Sequence, residues 1–436
     1  MTKGKRLINN LKYHLWTIGC QMNKADSERV GAYLEQSGYL AAGIEDADLI
    51  VLNSCVVRQS AENRVLGKLN TLKTLKKARP DLAIALTGCL VNSRIGELED
   101  LFPQVDLFFK PQAFSELVEW LEGQGMPSQG PEPGSPLPSH PSPSTFIPII
   151  QGCDNFCSYC IVPYRRGREK SRPVSEIVCE VEELVQRGMR EVTLLGQNVD
   201  SYGHDLPAEP GLADLLAELN SLDGLVRIRF LTSHPKDMSP GLIQAVARFD
   251  KVCEHISLPV QSGDDSTLTA MRRGYTVARY RQLVGQIRGE IPEVALSTDV
   301  IVGFPGEAEP QFQQTVNLLR ELRFDTVHVA AYSPRPDTMA SKKLEDDVPL
   351  PEKRRRLEEV EGLQEGIARE VNAQLLGRAV EVLVEDQKKG RWQGRTRTNK
   401  LVFFDDIADH LGQLVKVKIE RTSPWALQGK LVERLS

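Results

Sequence analysis

The chain has 436 residues, of which 41% are hydrophobic and 26% charged, with eight cysteines and a formal net charge of −5. That length allows two or three domains with full cores, and the near balance of charge confines any nucleic-acid affinity to a local patch. No apolar run approaches a membrane span and no signal-peptide apolar region follows the basic start, so the chain reads as a cytoplasmic, non-membrane protein whose cysteines serve metals or catalysis rather than disulfides.

Residues 1–122 read as a parallel α/β domain of the Rossmann-like kind. Tyr13–Ile18, Leu49–Asn53 and Leu82–Leu86 are predicted strands, with helices after Asp26-Ser27 and from about Arg58 to Ala78. A cysteine follows each strand: Cys20, Cys55 and Cys89, 35 and 34 residues apart. Carboxyl ends of parallel strands share one edge, where ligands collect, so the three thiols are expected to converge as metal ligands. Buried packing thiols and redox-active cysteines stand beside that reading.

Residues 123–144 carry seven prolines and read as an extended, solvated linker. The second domain, 145–369, alternates strand and helix, with predicted strands at Phe146–Ile150, Glu191–Leu195, Arg227–Phe230, His255–Leu258, Ala295–Val300 and Thr326–Ala330. Six such units suggest a partial (β/α)6 barrel with function at the carboxyl ends of its strands. The first strand runs into Cys153, Cys157 and Cys160, spaced C-x3-C-x2-C. A structural zinc site wants four protein ligands, and no local fourth Cys or His completes this set. Three thiolates on a four-iron cluster leave one iron open for a ligand. A three-legged zinc site and unrelated cysteines are the alternatives. Glycine-rich or polar runs at the other strand ends, with Gly196 and Gln197, Gln261 and Ser262, and Gly303, Phe304 and Gly306, read as a cofactor-binding rim. His234 reads as a packed loop histidine, Cys179 and Cys253 as core thiols, and Leu350–Glu370 as a solvated connecting helix.

Residues 370–436 alternate as five short strands, the pattern of a small all-β barrel of the kind that often binds oligonucleotides. Lys388, Lys389, Arg391, Arg395, Arg397 and Lys400 fall there with no intervening acid, and Trp392 lies among them. Basic side chains interleaved with an aromatic suit phosphate contact and base stacking; an ordinary solvated hairpin is the competing account.

Together the three parts resemble the radical S-adenosylmethionine (SAM) methylthiotransferase family. Gly19-Cys20-Gln21-Met22-Asn23, the run from Gln151 to Pro173, Leu194-Leu195-Gly196-Gln197-Asn198 and Leu258-Pro259-Val260-Gln261-Ser262-Gly263 are similar to its tRNA branch, and to the activity that makes the 2-methylthio form of isopentenyl-adenosine beside the anticodon. The resemblance implies two [4Fe-4S] clusters, one on Cys153, Cys157 and Cys160 and an auxiliary one on Cys20, Cys55 and Cys89. It also implies SAM as radical source and methyl donor, an OB-like RNA-binding TRAM domain at the C-terminus, the tRNA anticodon stem-loop as partner, a flavodoxin- or ferredoxin-like electron donor, and a monomer. Two departures stand out: Asn92, where many relatives carry glutamine, and the proline-rich linker. Threonylcarbamoyl-adenosine in tRNA, a ribosomal-protein aspartate, and an RNA-binding iron–sulfur carrier or sensor are the competing functions.

Overall fold

Short runs of branched apolar residues build the first sheet. Strands β1 (Lys12–Thr17), β2 (Leu40–Ala41), β3 (Leu49–Ser54), β4 (Ala83–Gly88) and β5 (Leu107–Phe108) are all parallel, in the order β2-β1-β3-β4-β5. The structure, a computed structural model, describes residues 11–57, 59–91, 95–111, 113–128, 137–138 and 141–435. It divides into two units, Met1–His140 with Tyr164–Arg166, and Pro141–Pro163 with Gly167–Ser436. Asn92 lies outside the described residues.

Every residue of β3 and β4 is buried, as expected of central parallel strands covered on both faces. Leu49 and Val51 pack on one side with Tyr33, Leu34 and Leu117; Ile50 and Leu52 pack on the other with Leu69 and Leu72 of helix Gln59–Ala78. The described parts of the proline-rich stretch are not wholly solvated. Tyr33 Oη lies 2.7 Å from Ser128 Oγ, Gln36 Nε2 donates to Leu137 O, and the Leu137 side chain is buried. A lone leucine in a polar run gains most from leaving water.

The second unit opens with β6 (Ser144–Pro148), β7 (Ile150–Gln151), β8 (Lys170–Ser171), β9 (Glu191–Leu195), β10 (Arg227–Phe230), β11 (His255–Ser257), β12 (Ala295–Val302) and β13 (Thr326–Ala331). β6, β9 and β10 form one parallel sheet and β11, β12 and β13 another, while the parallel bridge Ile228–Val252 links the two. Six parallel strands thus follow in chain order with helices between them, the partial barrel expected. β7 and β8 pair antiparallel instead and close the base of the cysteine loop.

Helix Leu350–Ala373 is not the solvated connector its charges suggested. Val360, Ile367 and Ala368 are buried, and so are Lys353, Arg356 and Gln364. Gln364 Nε2 donates to Phe324 O at 3.1 Å, and Arg356 pairs with Glu307 at 3.0 Å. Long polar side chains lay their stems on the sheet and spend their heads on its loops. Cys253 is buried, but Cys179 is exposed, on the outer face of its helix.

The last strands, β14 (Ala379–Lys388), β15 (Arg391–Thr396), β16 (Leu401–Phe404), β17 (Leu414–Thr422) and β18 (Leu427–Arg434), close into a barrel in the order β14-β15-β16-β18-β17. Val382, Trp392, Phe404, Val417 and Ile419 are in its core. This barrel docks at the amino ends of the preceding parallel strands. Arg227 donates to Arg395 O and pairs with Glu381, Arg229 donates to Thr396 O and Arg397 O, and Arg397 grips Glu254 and Val252 O. Among the described residues no helix is long and apolar enough to cross a membrane.

Candidate active site

The loop between β7 and β8 carries Cys153, Cys157 and Cys160, and its shape follows from a few fixed contacts. Gly152 sits at φ +82°, and a Cβ there would strike the carbonyl of Arg168, so only glycine fits. Its N–H donates to Gln197 Oε1 at 2.6 Å, and Cys153 N donates to Gly167 O. Ser158 ties the far side of the loop down, with N to Met271 O at 3.0 Å and Oγ to Ala270 O at 2.7 Å.

The three thiols act on one another. Burial pushes the Cys153 thiol up to about 11, with the charges of Glu169 and Cys157 adding to it. Burial pushes Cys160 up to about 12, with Cys157 and Cys153 adding. Cys157 is buried and accepts a hydrogen bond from Arg273 Nη1 at 3.4 Å. Buried thiols such as Cys153 and Cys160 stay protonated until a cationic group draws off their protons. A donor set of three thiols supported by a buried guanidinium therefore fits an iron–sulfur cluster.

The other set lies in the first unit. β1, β3 and β4 are neighbours in register, Thr17 beside Asn53 and Ser54 beside Gly88, so Cys20, Cys55 and Cys89 follow the carboxyl ends of three adjacent strands. A Cβ on Gly19 would stand 2.8 Å from Cys55 Cβ. The convergence rests on a buried amide network: Asn23 Nδ2 donates to Asn53 Oδ1 (2.8 Å) and Ser54 O (2.9 Å), Asn53 Nδ2 donates to Asn23 O and Ser27 Oγ, and Cys20 Sγ lies 3.3 Å from Asn23 Oδ1. Burial raises the Cys89 thiol, Arg166 opposes this, and Cys20 adds to it. Arg166, which belongs to this unit, pairs with half-buried Asp26 at 3.0 Å. Three thiols beside a buried cation fit a second cluster on the same donor chemistry. The sequence reading missed Asn53 and Arg273, and no local pattern marks either.

The expected rim residues lie at strand ends in varied roles. Gly196 packs on Ile150, and Gln197 holds Gly152. Gln261 is buried at φ +70° and bridges to Val300. Ser262 is buried within 3.4 Å of Thr315 Oγ1. Gly303 N donates to Glu307 at 2.5 Å, and the space a Cβ would need there is filled by Lys353. Gly306 N donates to Asp347, and Phe304 is fully buried beside Tyr332 and Tyr159. Gly303, Phe304 and Gly306 are thus engaged in packing their own loop.

The basic run of the C-terminal barrel needs correction. Trp392 is 7% exposed in the barrel core, with its indole N–H on Asp406 O, which leaves no free face for a base. Arg397 and Lys400 are committed to Glu254 and Asp325, and Arg395 bonds Asn399 O and pairs with Glu385. Arg391 pairs with Asp405 at the surface. Lys388 and Lys389 are exposed, in and just after the end of β14. A different face of the barrel carries exposed cations beside an exposed aromatic, with exposed Glu420 among them. Lys418 and Lys430 are exposed and directly opposite on β17 and β18, Arg421 is exposed nearby in the chain, and Trp425, in the turn between these strands, is 66% exposed. Like charges directly opposite across strands are unfavourable unless an anion lies between them.

Comparison with known proteins finds three family models along the chain. Residues 147–319 match the radical SAM superfamily, residues 12–110 the uncharacterized protein family UPF0004, and residues 373–432 the TRAM domain. The chain is 55% identical over 424 residues to a tRNA-2-methylthio-N(6)-dimethylallyladenosine synthase of Dehalococcoides mccartyi (strain CBDB1), covering 97% of this chain and 99% of that one. It is 52% identical to the synthase of the same name from Chloroflexus aurantiacus, covering 96% and 91%. Among solved structures, the radical SAM methyltransferase TsrM from Kitasatospora setae, with cobalamin and a [4Fe-4S] cluster bound, is similar in fold, with TM-score 0.56 at 14% identity over 88% of this chain and 80% of that one.

Proposed function

The chain belongs to the radical-SAM methylthiotransferases, and on that premise we propose that it inserts sulfur at carbon 2 of isopentenyl-adenosine beside the tRNA anticodon and methylates it. Membership brings SAM and a [4Fe-4S] cluster, and we assign Cys153, Cys157 and Cys160 as its ligands. The observation that carries the full reading is the presence of two cysteine triads, each gathered by its own scaffold. A single triad would suffice for SAM cleavage. The second, Cys20, Cys55 and Cys89, is assigned to an auxiliary cluster that carries the sulfur. An unactivated adenine C2 offers no polar route, and a reduced cluster with SAM bound supplies the one-electron chemistry it demands.

The protein's own part is to bind, orient and exclude water. Arg273 donates to the Cys157 sulfur and is itself held by Pro259 O at 3.0 Å and Tyr275 Oη at 3.0 Å. Gln197 and Gly152 fix the loop that aims the three thiols. Gln261 and Ser262 remain the proposed SAM contacts at the end of β11. The target base must leave its stack, which costs least in a single-stranded anticodon loop. A flavodoxin- or ferredoxin-like electron donor, a cytoplasmic location and a monomeric state complete the proposal, with working divisions at 1–122, 123–144, 145–369 and 370–436.

For RNA contact we assign the face of Lys418, Arg421, Lys430 and Trp425, with Lys388 and Lys389 at the far turn. Changing Lys418, Arg421 and Lys430 together to alanine lowers the slope of log affinity against log salt by about two for an anticodon stem-loop, as three phosphate contacts to single-stranded RNA are lost. An unchanged slope returns this face to an ordinary solvated surface. The reaction itself is tested by nucleoside mass spectrometry of tRNA from cells lacking the protein. Isopentenyl-adenosine should accumulate without its 2-methylthio form, and an unchanged nucleoside profile would refute the assignment.

A further inference from the structure

The sequence reads His234 as a packed loop residue, and the structure gives it a more specific character. It follows β10 by way of Thr232, whose φ of +73° is costly for a β-branched residue. Asp200 fixes the turn: its carboxylate accepts from Ser233 Oγ and from His234 N, both at 2.9 Å. The imidazole is buried with its ring edge to Tyr275, centroids 5.9 Å apart. Lys236 N donates to Nδ1 at 3.2 Å. With Nδ1 accepting, the ring proton is on Nε2. Burial holds the ring's pKa down at about 2, and the charges of Arg273 and Lys236 add to that, so His234 is neutral throughout the working pH range. Its Nε2 has no hydrogen-bond partner among the described residues.

A buried donor without an acceptor is costly and rare. A second orphan lies close by. Asn198 Nδ2 donates to Asp237 Oδ2 at 2.7 Å, the same oxygen that stands 3.8 Å from His234 Nδ1, and Asn198 Oδ1 is buried without a partner. The pair borders the cysteine loop. Asn155, between Cys153 and Cys157, donates to Asp237 Oδ2 at 3.5 Å and accepts from Lys236 Nζ at 2.6 Å, while Arg273 joins Tyr275 to the Cys157 sulfur. One neutral N–H and one carbonyl oxygen, with the nearby charges already engaged, suit a neutral ligand edge that offers both an acceptor and a donor. An adenine does so with its ring nitrogens and exocyclic N–H.

We propose that His234 Nε2 donates a hydrogen bond to a ring nitrogen of an adenine bound beside the cysteine loop. The proposed reaction brings two adenines to this protein, that of SAM and that of the target nucleoside, and the inference rests on that reading only for the second. A fixed neutral donor reads the base without adding a buried charge, and an adenine lacking the acceptor would leave Nε2 unpaired.

The test compares His234→Phe, which keeps an aromatic ring and removes the donor, with His234→Gln, whose amide nitrogen stands near the place of Nε2. Equilibrium binding of S-adenosylhomocysteine and of an isopentenyl-adenosine stem-loop RNA is measured on each reconstituted holoprotein. His234→Phe should weaken one of the two about tenfold, and His234→Gln should recover most of that loss. The ligand affected names the adenine. If neither affinity moves, or if Gln and Phe lose equally, His234 is a packing residue and the proposal is overturned. The unaltered protein provides a second measure should the variants fold poorly. Among 1-deaza, 3-deaza and 7-deaza forms of the same two ligands, one should bind about tenfold more weakly than its parent; equal binding by all overturns the proposal. Neither measurement depends on methylthio product, so failure of the assigned reaction leaves a different trace.

Discussion

Replacing Cys157 with alanine abolishes SAM cleavage. Cys157 is the most enclosed of its triad, and its sulfur is the acceptor for the buried Arg273. Its removal does two things at once. Under the proposed assignment the cluster would lose one of its three protein ligands, and with it an open iron for SAM. Arg273 also loses one of its hydrogen-bond partners, keeping Pro259 O and Tyr275 Oη, at a cost of about 1–3 kcal/mol. The anaerobically reconstituted variant should form 5′-deoxyadenosine only at background and bind about four fewer irons per chain. Normal 5′-deoxyadenosine formation would remove Cys153, Cys157 and Cys160 from the chemistry altogether.

The parts of this molecule legible in sequence are those where one physical signal dominates. Leu49–Leu52 and Ala83–Leu86 are unbroken apolar runs because both faces of a central parallel strand are covered, so the strands and the cysteines after them could be placed together. The cysteine spacing at 153, 157 and 160 is equally local. What sequence obscured was which way side chains face. Trp392, Gly394 and Thr396 alternate with Arg391, Gln393 and Arg395, and the first set points inward. The period-two rule puts Trp392 in the core, but proximity to cations in the chain suggested a stacking platform. Arg397 and Lys400 looked free because Glu254 and Asp325, their partners, lie 143 and 75 residues away. Trp425 carried the opposite cue, an aromatic directly after the turn-forming Ser423-Pro424, and it is the exposed one. Helix Leu350–Ala373 hid its buried face because Lys353, Arg356 and Gln364 occupy positions on it that apolar residues usually hold. The roles of Arg166, Arg273 and His234 depend on partners brought together only by folding, and no pattern of neighbours announces them.

The division of labour between the two cysteine sets is the claim on which the rest depends. In the first unit the thiols of Cys20, Cys55 and Cys89 close three adjacent strands over the Asn23–Asn53 network; in the second, Cys153, Cys157 and Cys160 share a loop clamped by β7 and β8. The two scaffolds have no residue in common, so the loss of one set leaves the other's fold in place. Changing Cys20, Cys55 and Cys89 to alanine should lower iron from about eight to about four per chain, as two four-iron clusters become one. Alanine at Cys55 and Cys89 opens only small voids, at about 1 kcal/mol or less for each removed sulfur. SAM cleavage should survive at least in part, while the methylthio nucleoside disappears because the sulfur to be inserted has no place to be held. The decisive measurement takes both products from one reaction of this triple variant with isopentenyl-adenosine tRNA. The account predicts 5′-deoxyadenosine with no 2-methylthio nucleoside, and methylthiolation at the normal rate with unchanged iron would contradict it.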